Sequence, residues 1–202
     1  RAAELVQDKK VDPEKAIEMV FNANEFHLPF ASKIQSDIIK KSSKETLLKY
    51  AKKHKNDMLN IEEVEARIEF PLEKATVAGR IDVIIGEKES LEVRDYKTSD
   101  VVTSKEEASL QVQLYSLGLK LIRDKVDKAT IAYIKETEGN TDIVNVPIGE
   151  KEIKEAKDKA METIHSIKRG VWIAKVGKHC DKCDYKKICK FTTVNRKMVV
   201  KI

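Results

Sequence analysis

The sequence predicts an α/β (α+β) fold, and three features of its 202 residues carry that expectation. Apolar residues recur at helical spacing over the first sixty positions or so. From Ile61 the pattern turns into short β-branched runs, and one long amphipathic stretch interrupts those runs. One domain is the default at this length, read as a helical region 1–60, an α/β core 61–170 and a cysteine-containing segment 171–202. A hydrophobic content of 41% allows an ordinary core, while 36% charged residues and only 5% aromatic ones call for a surface of solvated Lys and Glu.

The elements follow in order. Asp12-Pro13-Glu14 is a helix start, with Asp12 as N-cap and Pro13 at the first helical position. Ala16, Ile17, Val20, Phe21 and Phe26 supply its apolar face. A second helical stretch from about Phe30 to His54 carries Ile34, Ile38, Leu47, Leu48 and Tyr50, and the Ser42-Ser43 pair is expected to divide it. Strands are expected in VEARIEFPL, TVAGRIDVII, SLEVRDYKT, ATIAYIK and TDIVNVPI. The last two form a hairpin around Gly139-Asn140. The intervening helix, about Lys105 to Lys125, shows a stripe of Leu110, Leu114, Leu117 and Leu121 assigned to the core, which leaves the Gln111 side for function. A last helix begins near Gly149, shows Ile153, Ala156, Ala160, Ile164 and Ile167, and stops at Gly170.

Within the strand region, GRIDVII and LEVRDYK read as a hairpin bounded by Gly79 and by Gly86-Glu87-Lys88-Glu89. Alternation puts Val93, Asp95 and Lys97 on one face and Arg94 and Tyr96 on the other. Pairing then brings Asp82 and Asp95 together beside an amine. Hard divalent cations bind through one or two carboxylates, with phosphate and water completing the shell. Such an ion can activate water, and Lys97 can hold that water or the charge that develops on phosphate. The plainer alternative is a solvated strand face with Asp82 paired to Arg80 and Asp95 to Lys97.

GRIDVI, the spacing of 13 from Asp82 to Asp95, DYKTS, and QVQLY together resemble the RecB-like branch of the PD-(D/E)xK nuclease superfamily. The resemblance implies a restriction-endonuclease-like core, a central mixed β-sheet flanked by helices. It implies a Mg²⁺- or Mn²⁺-dependent deoxyribonuclease, with metal on Asp82, Asp95 and the Tyr96 carbonyl and Lys97 orienting water. Gln111 and Tyr115 match the family's QxxxY element, and their i, i+4 spacing puts both on one helix face. The implied setting is a DNA repair or recombination helicase-nuclease. No GxxxxGK[ST] motif occurs in these residues, so the motor is expected in an upstream part or a partner subunit. The rival readings are a catalytically silent DNA-binding scaffold and a zinc-knuckle nucleic-acid binder.

Cys180, Cys183 and Cys189 are the chain's three cysteines, all in HCDKCDYKKIC. CxxC spacing lets two thiolates grip one metal, and the third can close over it. In AddB-type proteins and some superfamily 1 helicases of the resembled family, such a run joins an upstream cysteine to hold a [4Fe-4S] cluster. That upstream cysteine is missing here. His179 could instead complete a zinc site, a disulfide would leave one thiol over, and free thiols remain open. The family's early helical histidine also has no counterpart, since His27 precedes Leu28-Pro29 and His54 sits in KKHK. With Arg1 at its start, the chain is expected to be a piece of a longer polypeptide. A net charge of +5 permits a DNA partner. The lysines from Lys40 to Lys55 and from Lys178 to Lys190 are candidate phosphate contacts, while Trp172 either stacks on a base or packs its segment. No run of 18 apolar residues and no signal-peptide pattern is present, so no membrane partner and a soluble, cytoplasmic protein are expected.

Overall fold

The structure is a computed structural model, which describes residues 1–23, 32–87, 90–98, 105–123, 125–136, 142–171, 174 and 176–191. The chain divides into two compact units, Arg1–Ala160 and Met161–Ile202. The first contains α1 (Ala2–Lys9), α2 (Pro13–Asn22), α3 (Lys33–Lys53), α4 (Lys55–Leu59), β1 (Ile61–Leu72), β2 (Ala75–Glu87), β3 (Ser90–Lys97), α5 (Lys105–Arg123), β4 (Val126–Tyr133) and β5 (Ile143–Asn145). Helix α6 (Glu150–Lys168) begins in the first unit and ends in the second.

The five strands form one mixed sheet in the order β1-β2-β3-β4-β5. Pairs β1–β2, β2–β3 and β4–β5 are antiparallel, and β3–β4 is parallel with α5 as the crossover. On one face α5 buries Ala108, Val112 and Leu119 against Ile68, Phe70, Ile84, Leu91, Val93 and Ile131. On the other, α1, α2 and α3 bring Val6, Ala16, Ile17, Tyr50 and Ala51 against Val83, Ile85 and Ala132. The α/β expectation is met, with the helical first sixty residues forming one of the two flanking layers.

Asp12 caps α2 as expected, its side chain accepting from Glu14 N–H. Ser32 and Gln35 form a reciprocal capping box at the start of α3. Four expectations need correction. Ser42-Ser43 does not divide α3, because serine costs only about half a kcal/mol in a helix interior and neither Pro nor Gly intervenes. Ile34 and Ile38, placed on its apolar face, are 73% and 64% exposed; burial is concentrated at Tyr50 and Ala51.

The leucine stripe is not the buried stripe of α5. Leu121 is 61% exposed, and Leu110 and Leu114 are half-buried. The helix carries two apolar stripes two positions apart, about 200° around the axis. The sheet takes the one with small residues: a Cβ at Gly118 would lie 2.6 Å from the Phe70 ring, so only a bare backbone lets α5 approach this closely. Gly79 bounds no turn and instead lies inside β2, paired with Ile68. The hairpin pairing of β4 with β5 is present, whereas its Gly139-Asn140 turn lies outside the described residues. So do His27 and Trp172.

In the second unit α6 ends before Gly170, as expected, and a short 3-10 turn spans Lys178–Lys182. Cys180, Cys183 and Cys189 are half-buried, and none of the three is in a disulfide. Among the described residues no helix is long and apolar enough to cross a membrane.

Candidate active site

The site begins where two strands part. β2 and β3 pair from Glu87–Ser90 as far as Val83–Arg94, and the ladder then ends while β2 continues against β1 to Ala75. Asp82 is the first residue past that fork. Its carboxylate takes over the lost strand contact: Oδ2 accepts the Tyr96 N–H at 2.7 Å. Opposite it on β1, Glu65 adopts a left-handed φ of 54°, costly for a residue with a side chain, so the sheet is locally distorted at this point.

On β3 the alternation holds. Leu91 and Val93 join the core under α5, while Glu92 and Arg94 belong to a polar network with Tyr50 and Asp57. Asp95 and Lys97 continue the α5 side. The Asp95 side chain is 3% exposed, and its Oδ2 lies 2.7 Å from Lys97 Nζ. That oxygen nevertheless has no aligned hydrogen bond, so the contact is a close charge pair off the hydrogen-bonding axis. Lys97 Nζ also donates to Gln111 Oε1 at 3.1 Å, and Gln111 Nε2 donates to the Tyr115 hydroxyl at 2.8 Å. The Tyr115 ring lies on β2 at Gly79, where a Cβ would stand 2.6 Å from the ring. A continuous line of contacts therefore runs from β2 through α5 to the amine and carboxylate of β3.

Burial pushes the Asp82 carboxyl above its usual range. The Tyr96 N–H pulls it back, the charge of Asp95 raises it further and Lys97 lowers it, leaving a net upward shift. Two half- to fully buried acids with one unsatisfied oxygen form a donor set suited to a hard divalent ion. Among the described residues no three His, Cys, Asp or Glu side chains converge. Two carboxylates are within what Mg²⁺ ordinarily takes from a protein, water and phosphate supplying the rest. The solvated pairing of Asp82 with Arg80 is absent: Arg80 lies 3.5 Å from Glu65 instead. The Asp95–Lys97 pair is present but buried, unlike a solvated strand face.

Family comparison decides the lineage. The model of the PD-(D/E)XK nuclease superfamily matches residues 2–190. The chain belongs to the PD-(D/E)XK nuclease superfamily. A solved candidate exonuclease from Eubacterium rectale is similar at TM-score 0.52 and 16% identity, covering 100% of this chain and 80% of that one. The solved protein SSO0001 follows at TM-score 0.48 and 16% identity, covering 93% of this chain and 84% of that one, too weak a likeness to argue from. No curated protein matches the chain in sequence. The mixed sheet between two helical layers is consistent with the restriction-endonuclease-like fold of the superfamily.

This PD-(D/E)XK domain also holds a buried group that the sequence did not flag. Arg94, 1% exposed, contacts Glu92 Oε1 at 2.7 Å, Asp57 Oδ2 at 2.8 Å, Thr130 Oγ1 at 3.1 Å and the Tyr50 hydroxyl at 3.3 Å. Burial works against its charge, and Tyr50, Glu92 and Asp57 more than offset that, so the guanidinium stays charged. Glu92 and Arg94 at strand spacing i, i+2 were the available signal, since period-2 partners of opposite sign share a face. His54, a poor ligand candidate by sequence, is held by Asp142, with Nε2 2.6 Å from Oδ2. The thiols of Cys180, Cys183 and Cys189 form no three-ligand group among the described residues.

Proposed function

We propose that the chain is a metal-dependent deoxyribonuclease, with Asp82, Asp95 and the Tyr96 carbonyl holding Mg²⁺ or Mn²⁺. The ion would supply Lewis acidity and a water of lowered pKa. The chain's own residues do the rest. Lys97, fixed between Asp95 and Gln111, presents a compact cation to the attacking water and to charge developing on the phosphate. Gln111 aims Lys97, and Tyr115 seats Gln111 through their hydrogen bond. Asp82 fixes the β3 backbone through the Tyr96 N–H.

The observation that carries this reading is the buried Asp95 Oδ2, left without a hydrogen bond beside Asp82 and Lys97. The test is Mg²⁺- or Mn²⁺-dependent cleavage of single-stranded and duplex DNA, with Asp82→Ala and Lys97→Ala as controls. Each variant should lose at least about a hundredfold in rate; undiminished cleavage in either sinks the assignment. No cleavage by metal-replete parent protein moves the reading to a DNA-binding scaffold. The exonuclease description of the Eubacterium rectale protein makes ended substrates the first to try. Strand separation falls to a helicase motor elsewhere in the assembly, and the role in repair or recombination follows from that. The cysteine segment holds a [4Fe-4S] cluster in this proposal, with zinc as the alternative.

A further inference from the structure

Arg94 stands at the last pair of the β2–β3 ladder, opposite Val83, and outside the chemistry proposed above. From the face of the sheet turned away from Lys97 it reaches Glu92 of its own strand, Thr130 of β4, Asp57 of α4 and Tyr50 of α3. Past that pair the ladder continues on the other side of β3, where Asp95, Tyr96 and Lys97 stand in register with Ile131, Ala132 and Tyr133 of β4. The stretch that carries the proposed chemistry has thus lost one of its two neighbouring strands, and the charges of Asp82 and Asp95 repel across the gap.

Tyr96 lies between Asp95 and Lys97, and its N–H holds Asp82, so the seat of Tyr96 governs all three. Its ring meets Tyr50 edge to face with centroids 5.7 Å apart, and the two hydroxyls share a hydrogen bond. Packing alone does not fix that ring: a hollow of about 280 Å³, walled by Ile17, Val20, Phe21 and Met58, opens beside both tyrosines. Tyr50 itself is clamped. It is 3% exposed, its hydroxyl accepts from Arg94 at 3.3 Å, and its ring lies 4.7 Å from that of His54.

We infer that Tyr50 is a positioning residue for the metal site: anchored by Arg94, it holds Tyr96 from behind the sheet and so sets the spacing of Asp82, Asp95 and Lys97. The inference rests on the nuclease reading and deepens it. Tyr50 packs on the α3 face whereas Lys97 faces α5, so it acts on the site only through Tyr96. Removing the Tyr50 hydroxyl keeps the ring and its aromatic contacts while freeing Tyr96 to turn into the hollow. A metal held by two carboxylates loses more from that freedom than the fold does, because partners outside the ligand shell orient the ligands.

The test titrates Mn²⁺ alone into the chain and reads the free ion by electron paramagnetic resonance, in the parent, Tyr50→Phe, Tyr96→Phe and the double variant, with Asp82→Ala marking the site. The parent should show a site that Asp82→Ala removes. Its affinity should fall about tenfold in Tyr50→Phe and comparably in Tyr96→Phe, and the double variant should lose no more than Tyr50→Phe, since one connection is cut in all three. At saturating Mg²⁺, kcat should fall while KM for DNA stays, because Lys97 too is held through Tyr96. Melting in chelator reports any loss of fold, and Tyr96→Phe decides the matter should Tyr50→Phe fail to fold. Parental Mn²⁺ affinity in both single variants, whatever their melting temperatures, or losses that add in the double variant, overturns the inference and leaves the nuclease standing. A parent without an Asp82-dependent site removes the metal reading and the inference with it. The expected affinity losses in a chain that never cleaves keep the positioning and remove the nuclease.

Discussion

Gly79 controls the site through the space it leaves empty. The Tyr115 ring occupies the volume a Cβ would need, at 2.6 Å, and the backbone of β2 cannot retreat while it is paired to Ile68 of β1. Gly79→Ala should therefore displace Tyr115, break its bond to Gln111 and loosen Lys97. Overpacking of this kind costs about 1–3 kcal/mol. We expect cleavage to fall tenfold or more in Gly79→Ala with far-UV circular dichroism unchanged, and Tyr115→Phe to reproduce part of the loss. A Gly79→Ala enzyme of full activity would show that Tyr115 can shift freely. Asp82 gives a second prediction at this scale. Its carboxyl is raised in the folded chain, chiefly by burial, so the folded state holds that proton to higher pH than the unfolded chain. Stability from this group is complete below the unfolded value, about 3.9, and is lost as pH rises through the folded one. In chelator at pH 7, Asp82→Asn should melt at a higher temperature than the parent. Saturating Mg²⁺ should reverse the order, since a ligand at a hundredfold over its Kd adds about 2.7 kcal/mol to the form that binds it. Calorimetry with and without Mg²⁺ tests both halves; an unchanged order in Mg²⁺ removes Asp82 from the metal site.

The elements explain which parts of this arrangement the sequence made legible. The face shared by Asp95 and Lys97 needed only the period of a strand, and the pairing of Asp82's strand with it needed only a hairpin. The i, i+4 geometry of Gln111 and Tyr115 needed only a helix. The fork between β2 and β3 was hidden, because it depends on how far the β1–β2 ladder outlasts the β2–β3 ladder, which strand period does not set. So was the role of Gly79, since an isolated glycine reads equally as a turn or as a close approach. The stripe of α5 was misassigned because two apolar stripes compete on one helix and the sheet chose by size. Long-range ion pairs were hidden as well, and one of them fastens an element that pairing alone barely holds. β5 has three residues, and Asp142 just before it lies 2.6 Å from His54 Nε2 and 2.9 Å from Lys53 Nζ at the end of α3. Burial would raise the Asp142 carboxyl, but the bonds to His54 and Lys53 hold it below the usual range. The unfolded chain thus takes up this proton first. The contribution is present above about pH 3.9 and fades as pH falls through the folded value. Asp142→Asn should cost about 1 kcal/mol at pH 7 and less at pH 3, read from denaturant midpoints at both. An equal cost at the two pH values would mean that the carboxylate charge does not tie α3 to β5.

At the scale of the whole molecule, the charge and the cysteines are unevenly placed. All three thiols lie in the second compact unit, within ten residues that also contain Lys182, Lys186 and Lys187. Three thiolates on one metal leave a coordination position open, and the neighbouring lysines offset the negative charge such a centre would bring. Backbone turns already draw the segment together: Cys183 N–H donates to the Cys180 carbonyl at 3.3 Å and Cys189 N–H to the Tyr185 carbonyl at 2.9 Å. A metal would convert those weak closures into a fixed loop, because binding energy at such a site is folding energy. The chain purified without oxygen should therefore carry iron with acid-labile sulfide, visible by its absorption, or else colourless zinc. Cys183→Ser should lose the metal and lower the melting temperature, while the cleavage rate per folded molecule stays near that of the parent, since Asp82, Asp95 and Lys97 belong to the first unit. A metal-free parent whose stability is indifferent to Cys183→Ser would make the thiols ordinary side chains. A variant that loses cleavage while retaining its stability would place the cysteine segment in contact with the reaction itself.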